Sequence, residues 1–451
     1  MMKFVRYWLI VALLLLVACG QADQTGQVEE PAVPPTPIVS DDEPETAVIE
    51  PEAELPPPAM ETLEESESAA EAETADPVPE PDEPAARTPL HPWPADQFGY
   101  GVQIHGNATV GDPIQTMDAV EGQLGLDWVK MQMQWWLIEP SPGEFQWFFY
   151  DGVVDEAYNH GLQLMVSIVG APEWTRAANN HIGPPDDYEE FARFLRDLID
   201  RYQGKIHAIE VWNEQNLDRE WQTPNGISPE DYVRFLQVSY EAIKEADPDI
   251  IVISGAPSPT GDGDWVRWAN DFSYMDRAIA AGMLDYTDCV GAHHNGINVP
   301  PDLAFDQTWE APIAQTAVFR GPFDNPHHSW SFKTTLEGYA QRVQAVDPDM
   351  KLCVTEFGWP TSEGYDVYPQ GFGFALDNTL EDQANYIVQA FQQMRTSGDV
   401  WIAILFNFDF GNKGSGPTDD TVPYSIVDIN GVPRPAFGAV AAMEKDLRIG
   451  E

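Results

Sequence analysis

The pattern of hydrophobic and polar positions changes near residue 93 of the 451-residue chain. Beyond that point, short apolar runs alternate with amphipathic stretches such as Tyr188–Tyr202, Pro229–Ala246 and Glu381–Arg395. The runs predict strands and the stretches predict helices, and their alternation is typical of a parallel sheet with helical crossovers. The predicted strands are Phe98–Ile104, Trp128–Met133, Gln163–Ile168, His207–Trp212, Ile251–Ser254, Cys289–His293, Leu352–Thr355 and Ile402–Phe408.

Eight strand–helix units predict one α/β domain, a (β/α)8 or TIM barrel, over residues 93–451. A doubly wound open sheet is the alternative, and it usually has a Gly-rich phosphate-binding turn after its first strand. Gly99 and Gly101 lie inside the first predicted strand, and the third glycine of such a turn is absent. The barrel is therefore the preferred fold.

The first 19 residues have the pattern of an export signal. Lys3 and Arg6 precede an apolar run, Tyr7–Val17, that is too short for a permanent membrane span. The run leads into Leu16-Val17-Ala18-Cys19, which resembles the bacterial lipobox. The resemblance implies a lipid-anchored protein of the cell envelope, held by Cys19 on the outer face of a bacterial membrane. An ordinary signal peptide with a chance cysteine is the alternative.

A spacer is predicted over residues 20–92. Residues 20–90 contain 14 prolines, 20 acidic residues and one arginine, but no aromatic residue of the Phe, Trp or Tyr type. Such a segment buries too little apolar surface to offset the entropy of ordering, so we expect a disordered acidic linker. An acidic tail that binds a cation or a basic partner is the alternative.

Charge and cysteine content limit the partners. The formal net charge of −51 argues against a nucleic-acid partner, because phosphate backbones bind basic surfaces. Cys289 and Cys353 lie in predicted strands, and we expect them to be buried free thiols rather than a disulfide framework or a metal site. The sequence predicts no metal and no cofactor, and we expect a monomer.

Two glutamates stand where a barrel carries its chemistry, at the C-terminal ends of the strands. Glu214 ends the fourth predicted strand and Glu356 ends the seventh. Hydrolysis of a glycosidic bond needs two carboxyl groups that face each other across a cleft. The residues therefore predict a glycosidase pair, and two solvated strand-end acids are the plainer alternative.

The motifs around these glutamates read VWNEQN at 211–216 and VTEFGW at 354–359. They resemble those of a large clan of retaining β-glycosidases with (β/α)8 barrels, which contains many cellulases, xylanases and β-xylosidases. The segments WLIEP at 136–140, PG at 142–143, IVD at 426–428 and PRP at 433–435 favour the family of β-xylosidases and exopolysaccharide-cleaving endoglycosidases. The resemblance implies that Glu214 is the acid/base, Glu356 the nucleophile, and Asn213 a ligand of the sugar 2-hydroxyl.

Other substrate-binding candidates follow from the same strand ends. Lys130 occupies a position where the clan often has arginine, and Asn407 follows the eighth strand in a run without the clan's frequent tryptophan. His293 and His294 are adjacent on a strand, so at most one faces the lumen, and we expect His293 to contact the sugar or the nucleophile. Trp136, Trp174 and Trp359 are candidate sugar-stacking rings, with core packing as the alternative.

The predicted function is an extracellular retaining hydrolase of a β-linked polysaccharide or oligosaccharide. A retaining pair requires a carboxyl separation of about 5–5.5 Å. The alternatives are a surface carbohydrate-binding protein that retains the barrel without turnover and a structural lipoprotein of the envelope. The intact pair of glutamates argues against the first alternative, and the aromatic-rich strand ends argue against the second.

Overall fold

The computed structural model describes residues 88–414 and 416–446. The predicted signal peptide with Cys19 and most of the predicted spacer lie outside the described residues. Eight parallel strands are β1 (Gly99–Gln103), β2 (Trp128–Gln134), β3 (Gln163–Val169), β4 (Ala208–Val211), β5 (Ile251–Ser254), β6 (Val290–Asn295), β7 (Leu352–Gly358) and β8 (Val400–Leu405). The main helices are α1 (Pro113–Met117), α2 (Asp151–Asn159), α3 (Tyr188–Arg201), α4 (Pro229–Ala246), α5 (Asp271–Ala280), α6 (Phe332–Gln344), α7 (Leu380–Ser397) and α8 (Pro435–Ala442).

The strands form a barrel. Their order is β5-β4-β3-β2-β1-β8-β7-β6, and the two outer strands meet at a parallel bridge between Ile253 and Cys289. Thr287 strengthens this seam, because its hydroxyl lies 2.9 Å from the Ser254 amide and 2.6 Å from the Cys289 carbonyl. The predicted (β/α)8 fold is confirmed, and each predicted strand overlaps an observed one.

The helices form where the sequence provides an apolar face and a cap. Along α3, Phe191, Phe194, Leu195 and Leu198 are buried at helical spacing. Helix α4 has the predicted bounds, because the Ser228 hydroxyl accepts from the amide of Asp231 at 3.2 Å and a proline occupies its first turn. These faces cover the outside of the barrel and fix the strand ends that form the site.

The lumen is apolar at the N-terminal ends of the strands. This lower layer consists of Trp128, Met165, Ala208, Ile251, Ile253, Cys289, Cys353, Ile402 and Ile404, with Trp93 packed against them. Glycines on β1 make room for the largest of these side chains. A Cβ atom at Gly99 would lie 2.7 Å from the Trp128 indole nitrogen, and one at Gly101 would lie 2.4 Å from Ile404 Cδ1.

The two cysteines of the lower layer form a disulfide, so the prediction of two free thiols was wrong. Cys289 precedes β6 and Cys353 lies on β7, and their Cα atoms are 5.8 Å apart. Both face the lumen from neighbouring parallel strands, which brings their Cβ atoms within bonding reach. The bridge joins positions 64 residues apart in the chain.

Packing against the barrel begins slightly before residue 93. Leu90 lies against the lower layer, and the His91 ring is 3.1 Å from a carboxylate oxygen of Asp247. Leu90 and His91 both fall within the range predicted as the spacer, residues 20–92. The domain therefore starts by about residue 90 in structural terms. In the described part of the chain, none of the helices is both long enough and apolar enough to cross a bilayer.

Candidate active site

Glu214 and Glu356 meet at the C-terminal end of the barrel. Glu214 follows β4 closely, Glu356 lies on β7, and both are buried. One ring nitrogen, Nδ1 of His293 on β6, lies 3.3 Å from Glu214 Oε1 and 3.9 Å from Glu356 Oε2. The two carboxyl groups therefore face a common point at the C-terminal ends of the strands.

An unusual backbone turns Glu214 into this position. Trp212 and Glu214 have φ values of 77° and 40°, in the left-handed region that residues other than glycine seldom adopt. The turn is held by the Glu214 amide, which donates to the Ala256 carbonyl at 3.0 Å, and by the Trp212 indole, which donates to the Glu220 carbonyl at 2.8 Å. Such conformations cluster at functional sites, where the surrounding structure determines them.

A β-bulge turns Glu356 into the site. Along β7, Val354 pairs with Ala292 and Glu356 pairs with His293, so Thr355 is an extra residue in the strand. The extra residue allows consecutive side chains to serve the lumen, because Thr355 donates its hydroxyl to Glu210 at 2.7 Å while Glu356 reaches the mouth.

Lys130 and Asn295 hold the Glu356 carboxylate from two sides. The Lys130 ammonium lies 3.2 Å from Oε1, and the Asn295 amide donates to Oε2 at 3.2 Å. Lys130 is fully buried on β2. Burial alone would lower its pKa, but the charges of Glu210 and Glu356 outweigh that effect and raise it. The lysine is therefore a cation inside the barrel.

Glu210 lies below Glu214 and Glu356 and contacts the side chains that support them. Its carboxylate is 3.1 Å from the Lys130 ammonium and accepts hydrogen bonds from Ser167 and Thr355. Burial would raise the pKa of Glu210, but Lys130 and His293 lower it well below its usual range. Glu210 faces the lumen at the level between the apolar lower layer and the two glutamates Glu214 and Glu356.

His293 and His294 point in opposite directions, as expected for neighbours on a strand. His293 is surrounded by carboxylates. Burial would lower its pKa, but the charge of Glu356 and the hydrogen bonds to Glu210 and Glu214 raise it to about 9. His294 faces outward against Phe332 of α6, with ring centroids 5.7 Å apart, and burial lowers its pKa to about 4.

Glu214 has cationic partners on both oxygens. In addition to His293, the Arg219 guanidinium donates to Oε2 at 3.1 Å. Burial would raise the pKa of Glu214, but His293 and Arg219 lower it to about 2. Half-buried Glu220 has the opposite environment, because burial and the nearby charges of Glu214 and Glu356 raise its pKa to about 8.

The remaining residues predicted to bind substrate divide into two groups. The first group is Asn213, Trp136 and Trp174. Asn213 lies in the site, where its side-chain oxygen accepts from Gln132 at 3.3 Å, and half-buried Trp136 stacks on His181 with centroids 4.7 Å apart. Trp174 is half-buried, and its indole donates to the Glu139 carbonyl at 3.1 Å. Trp136 and Trp174 are thus each partly accessible to solvent.

Trp359 and Asn407 form the second group, and both are fully buried. Trp359 is fully buried, with its indole nitrogen 2.9 Å from the Val299 carbonyl. Asn407 is fully buried too, and its amide donates to the Thr421 carbonyl at 2.9 Å while its oxygen accepts from Ser425 at 2.6 Å. Both side chains are occupied in packing and loop support, so the structure does not place them on a sugar-binding surface.

Sequence reasoning missed Glu210, Arg219 and Asn295 as parts of the site. A signal existed for Glu210, because it lies four residues before Glu214 in a strand whose alternate residues face the lumen. Asn295 follows His293 by two residues and so shares its face. Arg219 belongs to an irregular loop, and periodicity does not predict its direction.

A group of potential metal ligands lies elsewhere. His91, Asp247 and Asp249 offer ligand atoms within 4.8 Å of one another, beside the His207 ring that precedes β4. This is the N-terminal end of the strands, opposite the two glutamates. The carboxyl groups of Glu214 and Glu356 themselves have partners in Lys130, Asn295, His293 and Arg219.

No family model matches the sequence. Among solved structures, the barrel resembles a family 39 glycoside hydrolase from the gut symbiont Bacteroides cellulosilyticus WH2, with a TM-score of 0.55 and 19% identity over 77% of this chain. The match spans 64% of that protein's chain. A β-glycosidase matches with a TM-score of 0.52 and 15% identity over 78% of this chain and 96% of its own. A monomeric β-xylosidase from Caulobacter crescentus CB15 matches with a TM-score of 0.50 and 15% identity, over 79% of this chain and 69% of its own.

These likenesses define a class of fold. The chain has the parallel (β/α)8 barrel found in these glycoside hydrolases, and two glutamates lie at its C-terminal end.

Proposed function

We propose that the protein is a retaining glycoside hydrolase of β-linked polysaccharides or oligosaccharides. The observation that carries the proposal is the convergence of Glu214 and Glu356 around one nitrogen of His293. Acidic residues from β4 and β7 need no such convergence in a structural protein. The solved barrels that resemble this chain include a β-glycosidase and a β-xylosidase, which agrees with the proposal at the level of fold.

Each glutamate has one role in the proposed double displacement. Glu356, oriented by Lys130 and Asn295, attacks the anomeric carbon and forms a glycosyl ester. Glu214 gives its proton to the leaving oxygen and then takes one from the water that hydrolyses the ester. Asn213, fixed by Gln132, binds the sugar 2-hydroxyl. The proposed platform for a sugar ring is the partly exposed Trp136.

The export proposal follows from the N-terminal sequence and has one structural support. A buried disulfide joins Cys289 to Cys353, and such bonds persist in oxidising compartments outside the cytosol. We therefore propose an envelope enzyme anchored through lipid at Cys19. Cys19→Ala should move the protein out of the detergent-extracted membrane fraction, and unchanged extraction would argue against lipidation.

Carbohydrate binding without turnover is the second candidate function. It is favoured by the low pKa of Glu214, about 2, because an acid catalyst must hold a proton before the first step. The two candidates differ in turnover, so a panel of aryl β-glycosides and β-glycans separates them.

The decisive experiment compares variants of the pair. Glu356→Gln should lower kcat by about 10⁴-fold or more, while exposed Glu241→Gln serves as the matched control and leaves it unchanged. Glu214→Ala should be slow on natural glycans but active on aryl glycosides with good leaving groups, and azide should rescue it as a β-glycosyl azide. An inverted first-formed sugar, or an α-azide, would exclude Glu356 as the nucleophile.

A further inference from the structure

Arg219 occupies a position that conflicts with the first half of the proposed reaction. Its guanidinium is 3.1 Å from Glu214 Oε2, while His293 lies 3.3 Å from Oε1. Both partners stabilise the ionised carboxylate, whereas protonation of a leaving group requires the neutral acid. The resting arrangement therefore differs from the one that the first chemical step needs.

Arg219 is placed to change partners. It lies in the loop after β4, five residues beyond Glu214, and 31% of its side chain is exposed, against 8% for Glu214. It is thus the outer and more solvent-accessible member of the pair. His293, in contrast, is fully buried behind the two carboxylates.

We propose that Arg219 is a positioning residue that keeps Glu214 ionised in the free protein and leaves it when the sugar on the leaving-group side binds. The inference rests on the proposed glycosidase function. When Arg219 leaves, Glu214 takes up one proton from solvent and becomes the acid. After glycosyl transfer, the ionised Glu214 is the base for the incoming water.

Two other carboxyl groups can receive the displaced guanidinium. Glu220 and Asp420 have pKa values raised to about 8 and about 6, chiefly by burial and then by neighbouring acids, and the charge of Arg219 lowers both. An arginine that moves toward either carboxyl group favours its ionised form, so ionisation of Glu220 or Asp420 accompanies the move and replaces the pairing that Arg219 loses at Glu214.

The proton uptake at Glu214 depends on all charged groups that surround it. These groups come from the β4 loop, β2, β4, β6, β7 and the loop after β8, and they are Arg219, Glu220, Lys130, Glu210, His293, Glu356 and Asp420. Arg219 is the most exposed cation of the set. Displacement of the Arg219 side chain from Glu214 is therefore the change that a bound sugar can make with the least disturbance of the buried charged groups.

The test compares the pH dependence of kcat/KM, which reports the free enzyme, with that of kcat, which reports the complex. With a substrate that has a poor leaving group, the basic limb of kcat/KM should lie below that of kcat in the wild type. Arg219→Gln should raise the kcat/KM limb by at least about one pH unit and leave the kcat limb in place. Arg219→Lys retains the positive charge and should keep part of the wild-type separation between the basic limbs of the kcat/KM and kcat profiles.

The matched control is Arg196→Gln, which removes an exposed arginine paired with Glu245 far from the mouth. It should change neither limb. Coincident limbs in the wild type, or an unchanged kcat/KM limb in Arg219→Gln, would overturn the inference. Absence of turnover in both the wild type and Arg196→Gln would instead contradict the proposed function.

A second measurement needs no substrate. Carboxyl-labelled glutamate in the full-length protein allows the Glu214 resonance to be assigned by its loss in Glu214→Gln. The Glu214 pKa should rise in Arg219→Gln relative to the wild type and to Arg196→Gln. Equal Glu214 pKa values in all three would refute the inference, whatever the activity.

Discussion

The two ends of the barrel lumen are built on the same strands but held together by different forces. At the N-terminal end, Trp128, Met165 and the Cys289–Cys353 bridge form an apolar layer. At the C-terminal end, two strand positions further along, the same strands carry Lys130 on β2 and Ser167 on β3. Strand alternation sends every second residue into the lumen, so a step of two moves from packing to chemistry.

The comparison shows how a barrel separates stability from function. The lower layer is stabilised by burial and by a covalent bond, which do not depend on pH in the physiological range. The upper layer, formed by Lys130, Glu210, Glu214, His293 and Glu356, consists of ionised groups. Their burial is offset by mutual attraction and by hydrogen bonds from neutral neighbours. Changes in the lower layer should therefore affect stability, and changes in the upper layer should affect stability, pH dependence and activity together.

The largest effect on stability is expected from Lys130→Met. Loss of this cation removes the ammonium group that Glu210 and Glu356 share and should reduce the free energy of unfolding by about 3–5 kcal/mol, measured by urea denaturation. Lys205→Met, which breaks an exposed pair with Asp155, is the control and should cost about 0–1 kcal/mol. Equal losses in the two variants would mean that the upper layer does not depend on this charge.

A smaller effect is expected from removal of the disulfide. The double variant Cys289→Ala/Cys353→Ala should lose about 2–4 kcal/mol of unfolding free energy while retaining kcat at 25 °C, because the bridge lies in the lower layer. Ile253→Val truncates the same layer, leaves both cysteines in place and should cost about 0.5–1.5 kcal/mol. Loss of activity in a folded double variant would show that the two layers are coupled.

The fold and the two glutamates were predictable because each depends on a repeated local pattern. Apolar strand runs and helical periodicity specify the barrel, and the barrel rule then selects strand-end residues such as Glu214 and Glu356. The bulge at Thr355 does not alter this prediction, because it moves Glu356 within the strand end rather than away from it.

Other features depend on register and on loop paths, which one sequence does not specify. Cys289 and Cys353 form a bridge because β6 and β7 are adjacent in a register that directs both side chains into the lumen. Trp136 and Trp359 look equivalent in sequence, yet one ring is partly exposed and the other is buried. The position of Arg219 depends on an irregular loop.

The smallest expected effect is on the pH dependence of stability. Two adjacent residues of β6, His293 and His294, should contribute to it with opposite signs, and only His293 belongs to the upper layer. His293 has a folded-state pKa of about 9, above its ordinary 6.5, so the stability it contributes is present below pH 6.5 and is lost as pH rises through 9. His294 has a pKa of about 4, so its contribution is present above pH 6.5 and is lost as pH falls toward 4.

His293→Gln should therefore flatten the alkaline decline of the unfolding free energy between pH 6.5 and 9, by on the order of 1–2 kcal/mol. His294→Gln is the matched variant and should flatten the acid side while leaving the alkaline decline unchanged. Urea denaturation across pH 4–9 measures both. The two histidines are chain neighbours on opposite faces of one strand. Opposite responses would therefore assign the alkaline decline to the carboxylates around His293, which are Glu210, Glu214 and Glu356. An unchanged alkaline decline in His293→Gln would mean that this histidine is not held as a cation by the upper layer.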